Sequence, residues 1–195
     1  MSSARVRMRH LALASVSVLV LAAGCATSGK SKVHTAPAGP EQRFSMVGSG
    51  FQTTALISKS GAQGPEVDVG RYDDGKTIRG KVDNRVIDMS ITGTKATGIW
   101  GSGPINLTVD EAGDQLKFNG LVAGRPSTWS ASGEAIQGTI GFCAYDLKRA
   151  GGDVYGGSRS CAGGINNVTV TFPSTITEWE PINIGVLMAL LMSTP

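Results

Sequence analysis

Histidine is nearly missing from this chain, since both copies, His10 and His34, stand near the N-terminus. The remaining sequence therefore offers no histidine triad, no histidine metal ligand and no imidazole acid or base. Aromatic residues make up only 6% of the chain. We find no DxDxDG calcium loop, and no GxxxxGKS or GxGxxG loop between a strand and a helix. These absences predict a protein that is not an enzyme, with no catalytic residues, no cofactor and no metal.

The charge balance gives no sign of a nucleic-acid partner. The chain has 18 basic and 15 acidic side chains, and three of the basic ones, Arg5, Arg7 and Arg9, lie within the first ten residues. Without that segment the two signs balance, so the remaining body has no net positive charge to attract phosphates.

The N-terminus has the layout of an export signal. A basic start, residues 1–10, is followed by an apolar run at residues 11–23. As a helix this run would span ~20 Å, which is short of a bilayer core of ~30 Å, so a secretory signal is favoured over a permanent membrane span.

The apolar run ends in Leu21-Ala22-Ala23-Gly24-Cys25. This pentapeptide resembles the lipobox of bacterial lipoproteins, although its large aliphatic residue stands four positions before the cysteine, where the family more often has it three before. The resemblance implies a signal peptide at 1–24, cleavage before Cys25, and acyl chains such as palmitate on that cysteine as a membrane anchor. Ala26 follows in place of aspartate, which by the same resemblance favours the outer membrane, on its periplasmic or its surface-exposed face.

Residues 25–42 are rich in Ser, Gly, Ala and Pro and have too little apolar surface to fold, so we interpret them as a lipidated flexible tether. The remaining residues, 43–195, form a single β-rich domain. Within it, the pattern apolar-x-Gly-x-apolar recurs at Gly80, Gly98, Gly120 and Gly138, and each unit is followed by a turn and a second alternating run.

These units predict an eight-stranded meander over residues 76–148, with earlier strands near 44–58 and 65–72 and a later one at 165–172. The fold class is thus mainly β: an antiparallel meander that closes into a small barrel or a two-layer sandwich. The repeated glycine either permits a bend between strands or admits a ligand; its recurrence in every unit favours the bend.

A short apolar helix is predicted near the C-terminus. Pro181 suits a first helical turn, and residues 182–192 are apolar on nearly every side. Such a helix must be covered. It could plug the end of the barrel or lie between sheets, dock into a partner, or lie in the membrane interface.

The two remaining cysteines, Cys143 and Cys161, predict a structural disulfide in an exported protein. They flank a glycine-rich segment that we interpret as an irregular loop tied at its base. Tyr145, Tyr155 and Arg159 in this loop are the candidate partner-binding residues, because Tyr and Arg are enriched at binding hot spots. The alternative is a crossover with solvent-facing side chains.

These features favour a lipid-anchored, non-enzymatic protein of the cell envelope. We expect it to bind an envelope protein as an accessory or structural component of an outer-membrane assembly, such as a secretion, adhesion or motility apparatus. The alternative is a carrier of a small apolar ligand or lipid inside the curled sheet. An enzyme of unknown type ranks third.

The lipid anchor can be tested by metabolic labelling. Because the acyl chain is expected on the Cys25 thiol, Cys25→Ser should abolish incorporation of labelled palmitate and release the protein from the membrane fraction. The double variant Cys143→Ser/Cys161→Ser is the control and should keep the label. An unlabelled wild-type chain that fractionates as soluble protein would exclude the anchor.

Overall fold

The computed structural model describes residues 42–194. The expected signal peptide, Cys25 and nearly all of the tether lie outside these residues. The described chain forms a closed barrel of fourteen strands, each antiparallel to both of its neighbours. The expected antiparallel meander with a short C-terminal helix is confirmed, and the barrel is the form it takes.

The strands follow one another around the barrel in chain order, and β1 closes it by pairing with β14. Eight of them, β5 to β12, occupy the region where the glycine repeat predicts eight. The strands are β1 Arg43–Gly48, β2 Phe51–Ser58, β3 Gly61–Gln63, β4 Val67–Tyr72, β5 Thr77–Val82, β6 Arg85–Thr92, β7 Lys95–Trp100, β8 Gly103–Ala112, β9 Gln115–Val122, β10 Arg125–Ala131, β11 Ala135–Ile140, β12 Cys143–Gly151, β13 Val154–Cys161 and β14 Gly164–Thr171.

The sequence alternation decides which face of the wall points inward. In β6, for example, Ile87, Met89 and Ile91 are buried while Asp88 and Ser90 are exposed. The same period of two recurs around the barrel and directs its apolar residues to the interior. The hydrophobic effect therefore favours a closed wall with one dry face.

One helix, α1 at Pro181–Met192, lies within the barrel. Ten of its twelve residues are buried. Side chains reach its last turn and the residues after it from β2, β12 and β13, and Phe118 of β9 packs on its middle. Because an eight-stranded barrel is already filled by its own side chains, a fourteen-stranded wall leaves a wider centre, and α1 occupies it. Of the placements left open from the sequence, the helix is covered by the barrel itself, although it occupies the centre and does not only plug one end. No helix among residues 42–194 is long and apolar enough to cross a membrane.

The barrel has two rims, which we name by the helix. The helix-entry rim carries the start of β1, the turns at 93–94, 113–114, 132–134 and 152–153, and the short 3-10 helix Ser174–Glu178 that leads into α1. The helix-exit rim carries the turns at 83–84, 101–102, 123–124, 141–142 and 162–163, together with the end of α1.

The recurring mid-strand glycines bring neighbouring strands close together. A Cβ on Gly120 would lie 1.9 Å from the backbone carbonyl oxygen of Asn106 on β8, and the glycine has a φ of +148°. The other three repeat glycines would also meet a carbonyl oxygen of the preceding strand, at 2.0 to 2.3 Å. The structural interpretation of the repeat therefore holds, because the space next to each glycine is occupied by backbone.

Helix α1 has its own tight contact at Gly185. A Cβ there would lie 2.2 Å from Cε1 and 2.4 Å from Cδ1 of the Phe118 ring, which also stacks on Trp129 with ring centroids 4.8 Å apart. The aromatic pair thus rests directly on helix backbone, and a side chain at position 185 would displace it.

Gly185→Ala should lower the free energy of unfolding by about 1–3 kcal/mol, because overpacking against Phe118 outweighs the better helix propensity of alanine. Chemical denaturation measures the change. Gly163→Ala is the control, since a Cβ there meets nothing within 4 Å, and it should stay within about 0.5 kcal/mol of wild type. A Gly185→Ala protein as stable as wild type would show that the helix is not held against this ring.

Candidate functional site

Cys143 and Cys161 form a disulfide at the helix-exit rim, as predicted. They stand at the start of β12 and the end of β13, with Cα atoms 4.3 Å apart. The prediction of an irregular loop between them is wrong, because the segment is a β-hairpin that turns at 152–153. Gly157, which suggested a flexible loop, sits within β13, where a Cβ would lie 2.1 Å from the carbonyl oxygen of Asp146. Glycine at this position allows β12 and β13 to pair closely.

The hairpin places Tyr145 and Arg159 directly opposite each other with both side chains inside the barrel. Only 4% of Tyr145 and 5% of Arg159 is exposed. Arg159 Nε donates a hydrogen bond to the Tyr145 hydroxyl at 3.0 Å, and that hydroxyl donates to the carbonyl oxygen of Met192 at the end of α1. The pair is therefore buried against the helix and forms no exposed binding surface.

A second set of contacts holds Thr194, two residues after the end of α1. Arg159 Nη2 donates to the carbonyl oxygen of Thr194, whose hydroxyl lies 3.0 Å from that of Thr53 on β2. We call Thr53, Tyr145, Arg159, Met192 and Thr194 the C-terminal clasp. It joins strands from two parts of the wall to the end of α1.

The charge of Arg159 suits its place in the C-terminal clasp. The last carbonyls of a helix carry partial negative charge, which a buried cation neutralises. The guanidinium also lies 4.6 Å from the centroid of the Phe51 ring, a cation–π contact that adds attraction in a desolvated site. Burial raises the pKa of the Tyr145 phenol above its usual value, and the nearby Arg159 charge partly offsets this rise.

Tyr155 lies apart from the other two predicted residues, near the helix-entry rim. Its hydroxyl donates to the carbonyl oxygen of Ser132 at 3.0 Å, and its ring meets Phe172 edge-on with centroids 6.3 Å apart. The structure thus separates the three candidate partner-binding residues: Tyr145 and Arg159 belong to the C-terminal clasp, while Tyr155 is half-buried at the opposite rim. Partner binding by Tyr155 stays a prediction.

Tyr155 lines an apolar cleft that sequence reasoning missed. The cleft opens between α1, the 3-10 helix and the turns of the helix-entry rim, and its volume is about 240 Å³. This exceeds the ~150 Å³ of a cavity that holds benzene but falls short of the ~300–1,000 Å³ usual for drug-sized ligands. Its apolar lining includes Leu116, Ile136, Tyr155, Phe172, Ile184 and Met188. These come from β9, β11, β13, α1 and the residue after β14, which are distant in sequence, so no local pattern pointed to the cleft.

Residues 70–77, GRYDDGKT, fit the phosphate-loop pattern GxxxxGK[S/T], which sequence reasoning also passed over. The structure places them in the hairpin between β4 and β5, with the short 3-10 turn Asp73–Gly75 and no following helix. The Thr77 hydroxyl donates to the Asp73 carboxylate at 3.0 Å. A phosphate would here meet two carboxylates, those of Asp73 and Asp74, without a helix N-terminus to stabilise it. Residues 70–77 therefore match the sequence pattern but form a hairpin turn, not a phosphate-binding loop.

Within residues 42–194, no three His, Cys, Asp or Glu side chains lie close enough to hold a metal ion. Comparison of the chain with protein-family models, curated proteins and solved structures finds no match. Any functional proposal must therefore rest on the residues themselves.

The C-terminal clasp makes a prediction about alkaline pH. Because the Tyr145 pKa is raised above 10.0 in the folded state, its stabilising contribution is complete below about pH 10 and is lost as the pH rises through the folded pKa. The free energy of unfolding in urea should therefore fall as the pH rises above about 10, and Tyr145→Phe should flatten that fall. Tyr155→Phe is the matched control: its phenol is less buried, so it should leave most of the slope. An unchanged slope in Tyr145→Phe would contradict the assignment.

Proposed function

We propose that this protein is a lipid-anchored, non-enzymatic component of the bacterial envelope that binds another envelope protein, as an accessory part of an outer-membrane assembly. One observation carries the proposal: the barrel is filled by its own helix α1. A filled barrel has no internal chamber for a substrate, so its outer wall and rims remain as the surfaces through which it acts.

The direction of the wall's side chains supports a water-facing body held by an anchor. Apolar residues of the strands point mainly inward, and the middle of the outer wall is rich in polar residues such as Asn106, Asn119 and Thr128. A barrel that spans the outer membrane needs the opposite arrangement, an apolar outer band with aromatic girdles. The lipid on Cys25 would then supply the attachment that the wall lacks.

The tether suits this arrangement. Strand β1 begins at the helix-entry rim with Arg43, so a tether from Cys25 reaches the barrel at that rim. At ~5–6 Å × √n, seventeen residues from 26 to 42 give a mean reach on the order of 20–25 Å. That is enough to hold the barrel clear of the lipid headgroups.

The cleft at the helix-entry rim favours a second candidate function, carriage of a small apolar ligand. Ile184 and Leu116 in its lining are only partly buried, although the rest of the core is closely packed. The interior is closed to a larger ligand by α1, so a carrier would use this cleft alone.

One experiment on the full chain separates the two functions. Chemical cross-linking in intact cells followed by purification in detergent should recover a protein partner in fixed stoichiometry, and solvent extraction of the same sample should yield no stoichiometric apolar molecule. Leu116→Arg, which puts a charge in the cleft, should leave the partner bound. An apolar molecule present at one per chain and lost in Leu116→Arg would instead support the carrier, and a chain with neither would refute both.

A further inference from the structure

The outer wall is apolar along one short line next to the helix-exit rim. On five consecutive strands, β6 to β10, the outward position nearest that rim is apolar. We call these side chains the exit-rim belt: Val86, Ile99, Pro104, Leu121 and Pro126. Half of Val86 and 45% of Ile99 is exposed.

Strand register makes the exit-rim belt continuous. Ile99 pairs directly with Pro104, and Leu121 pairs directly with Pro126. Asn106 pairs with Leu121, so Pro104 and Leu121 are diagonal neighbours; Val86 and Ile99 are related in the same way. Directly paired side chains have Cβ atoms ~4.5–5.5 Å apart and diagonal ones ~7–8 Å, so the five side chains form one surface.

The next row of the wall shows that the exit-rim belt is confined to the rim. Two positions further from the rim on the same strands and the same face, every residue is polar: Asp88, Thr97, Asn106, Asn119 and Thr128. Most of the other exposed large apolar residues, Val47, Phe142 and Ile165, also lie near this rim. A contiguous exposed apolar patch on a water-facing protein marks a contact site.

Two arginines flank the exit-rim belt. Arg125 lies over the ring of Phe142, with its Cζ 4.3 Å from the ring centroid, and 56% of Phe142 is exposed. Arg85 lies over Trp100 and pairs with Asp83 at 3.4 Å. An aromatic residue with an adjacent arginine is the composition of binding hot spots. Asp83 already partners Arg85, so it is Arg125 beside the apolar row that complements a surface carrying carboxylates.

We propose that the exit-rim belt, with Arg125 and Phe142, docks the envelope protein partner through an apolar surface that is flanked by carboxylates. This inference rests on the proposed function. The described chain begins with β1 at the helix-entry rim, opposite the exit-rim belt, so under the proposed function the attachment and the docking site use different rims. A second copy of the chain fits less well, because its matching surface would present Arg125 again where a carboxylate is needed.

The test places a photo-cross-linking amino acid at position 99 or at position 97 of the full chain in living cells. Positions 99 and 97 share β7 and the outer face, but only 99 belongs to the exit-rim belt. We expect position 99 alone to give a cross-linked protein, which mass spectrometry of its peptides identifies.

Binding of that identified protein to the purified full chain in detergent then tests the residues. Ile99→Lys should weaken binding at least about tenfold, and Val86→Lys should do so if Ile99→Lys unfolds the barrel. Thr97→Lys, the matched control, should change it less than about twofold. Arg125→Glu should slow association and reduce its salt dependence.

The outcomes separate this inference from the proposed function. A partner that cross-links from position 97 or from the cleft, and binds Ile99→Lys normally, would overturn the docking site and leave the proposed function standing. Cross-links at position 99 only to lipid, or only to a second copy, would also overturn it. Recovery of no partner by any route would refute the proposed function itself.

Discussion

The structure depends on a mutual requirement between a wide barrel and an apolar helix. Helix α1 has no polar face to turn towards water, so it is stable only when covered all round. A closed wall of fourteen strands has more interior space than its own side chains fill. The wall therefore covers the apolar surface of α1, and α1 fills the space that the wall would leave empty. The Phe118 ring against Gly185 shows how closely the two surfaces fit.

The C-terminal clasp and the disulfide belong to one arrangement. Tyr145 follows Cys143 by two residues on β12, and Arg159 precedes Cys161 by two on β13, so all four side chains point inward next to one another. The covalent link thus joins the two strands whose side chains hold the end of α1. In the chain-entropy model a closure of this length stabilises by ~3 kcal/mol, and here that constraint acts where the helix must be kept inside the wall.

The alternation of inward and outward side chains along each strand explains how much of the fold could be predicted from sequence. The repeat around Gly80, Gly98, Gly120 and Gly138 predicted the meander because side-chain alternation and turn chemistry are local. Closure was left open, because the pairing of β1 with β14 joins residues more than a hundred positions apart. Tyr145 and Arg159 were misplaced because paired glycines suggested a loop, although alternation from Cys143 would have directed both side chains inward. The cleft and the exit-rim belt could not be predicted, since both depend on register between strands.

Filling the barrel also changes where specificity can reside. In an open barrel, interior side chains select the ligand and the outer wall needs only to be soluble. Here α1 occupies the interior, and among residues 42–194 five of the six exposed large apolar side chains lie at or near the helix-exit rim: Val47, Val86, Ile99, Phe142 and Ile165. Under the proposed function, the chain that leads to the anchor enters at the helix-entry rim, where β1 begins, so attachment and partner contact would use different rims.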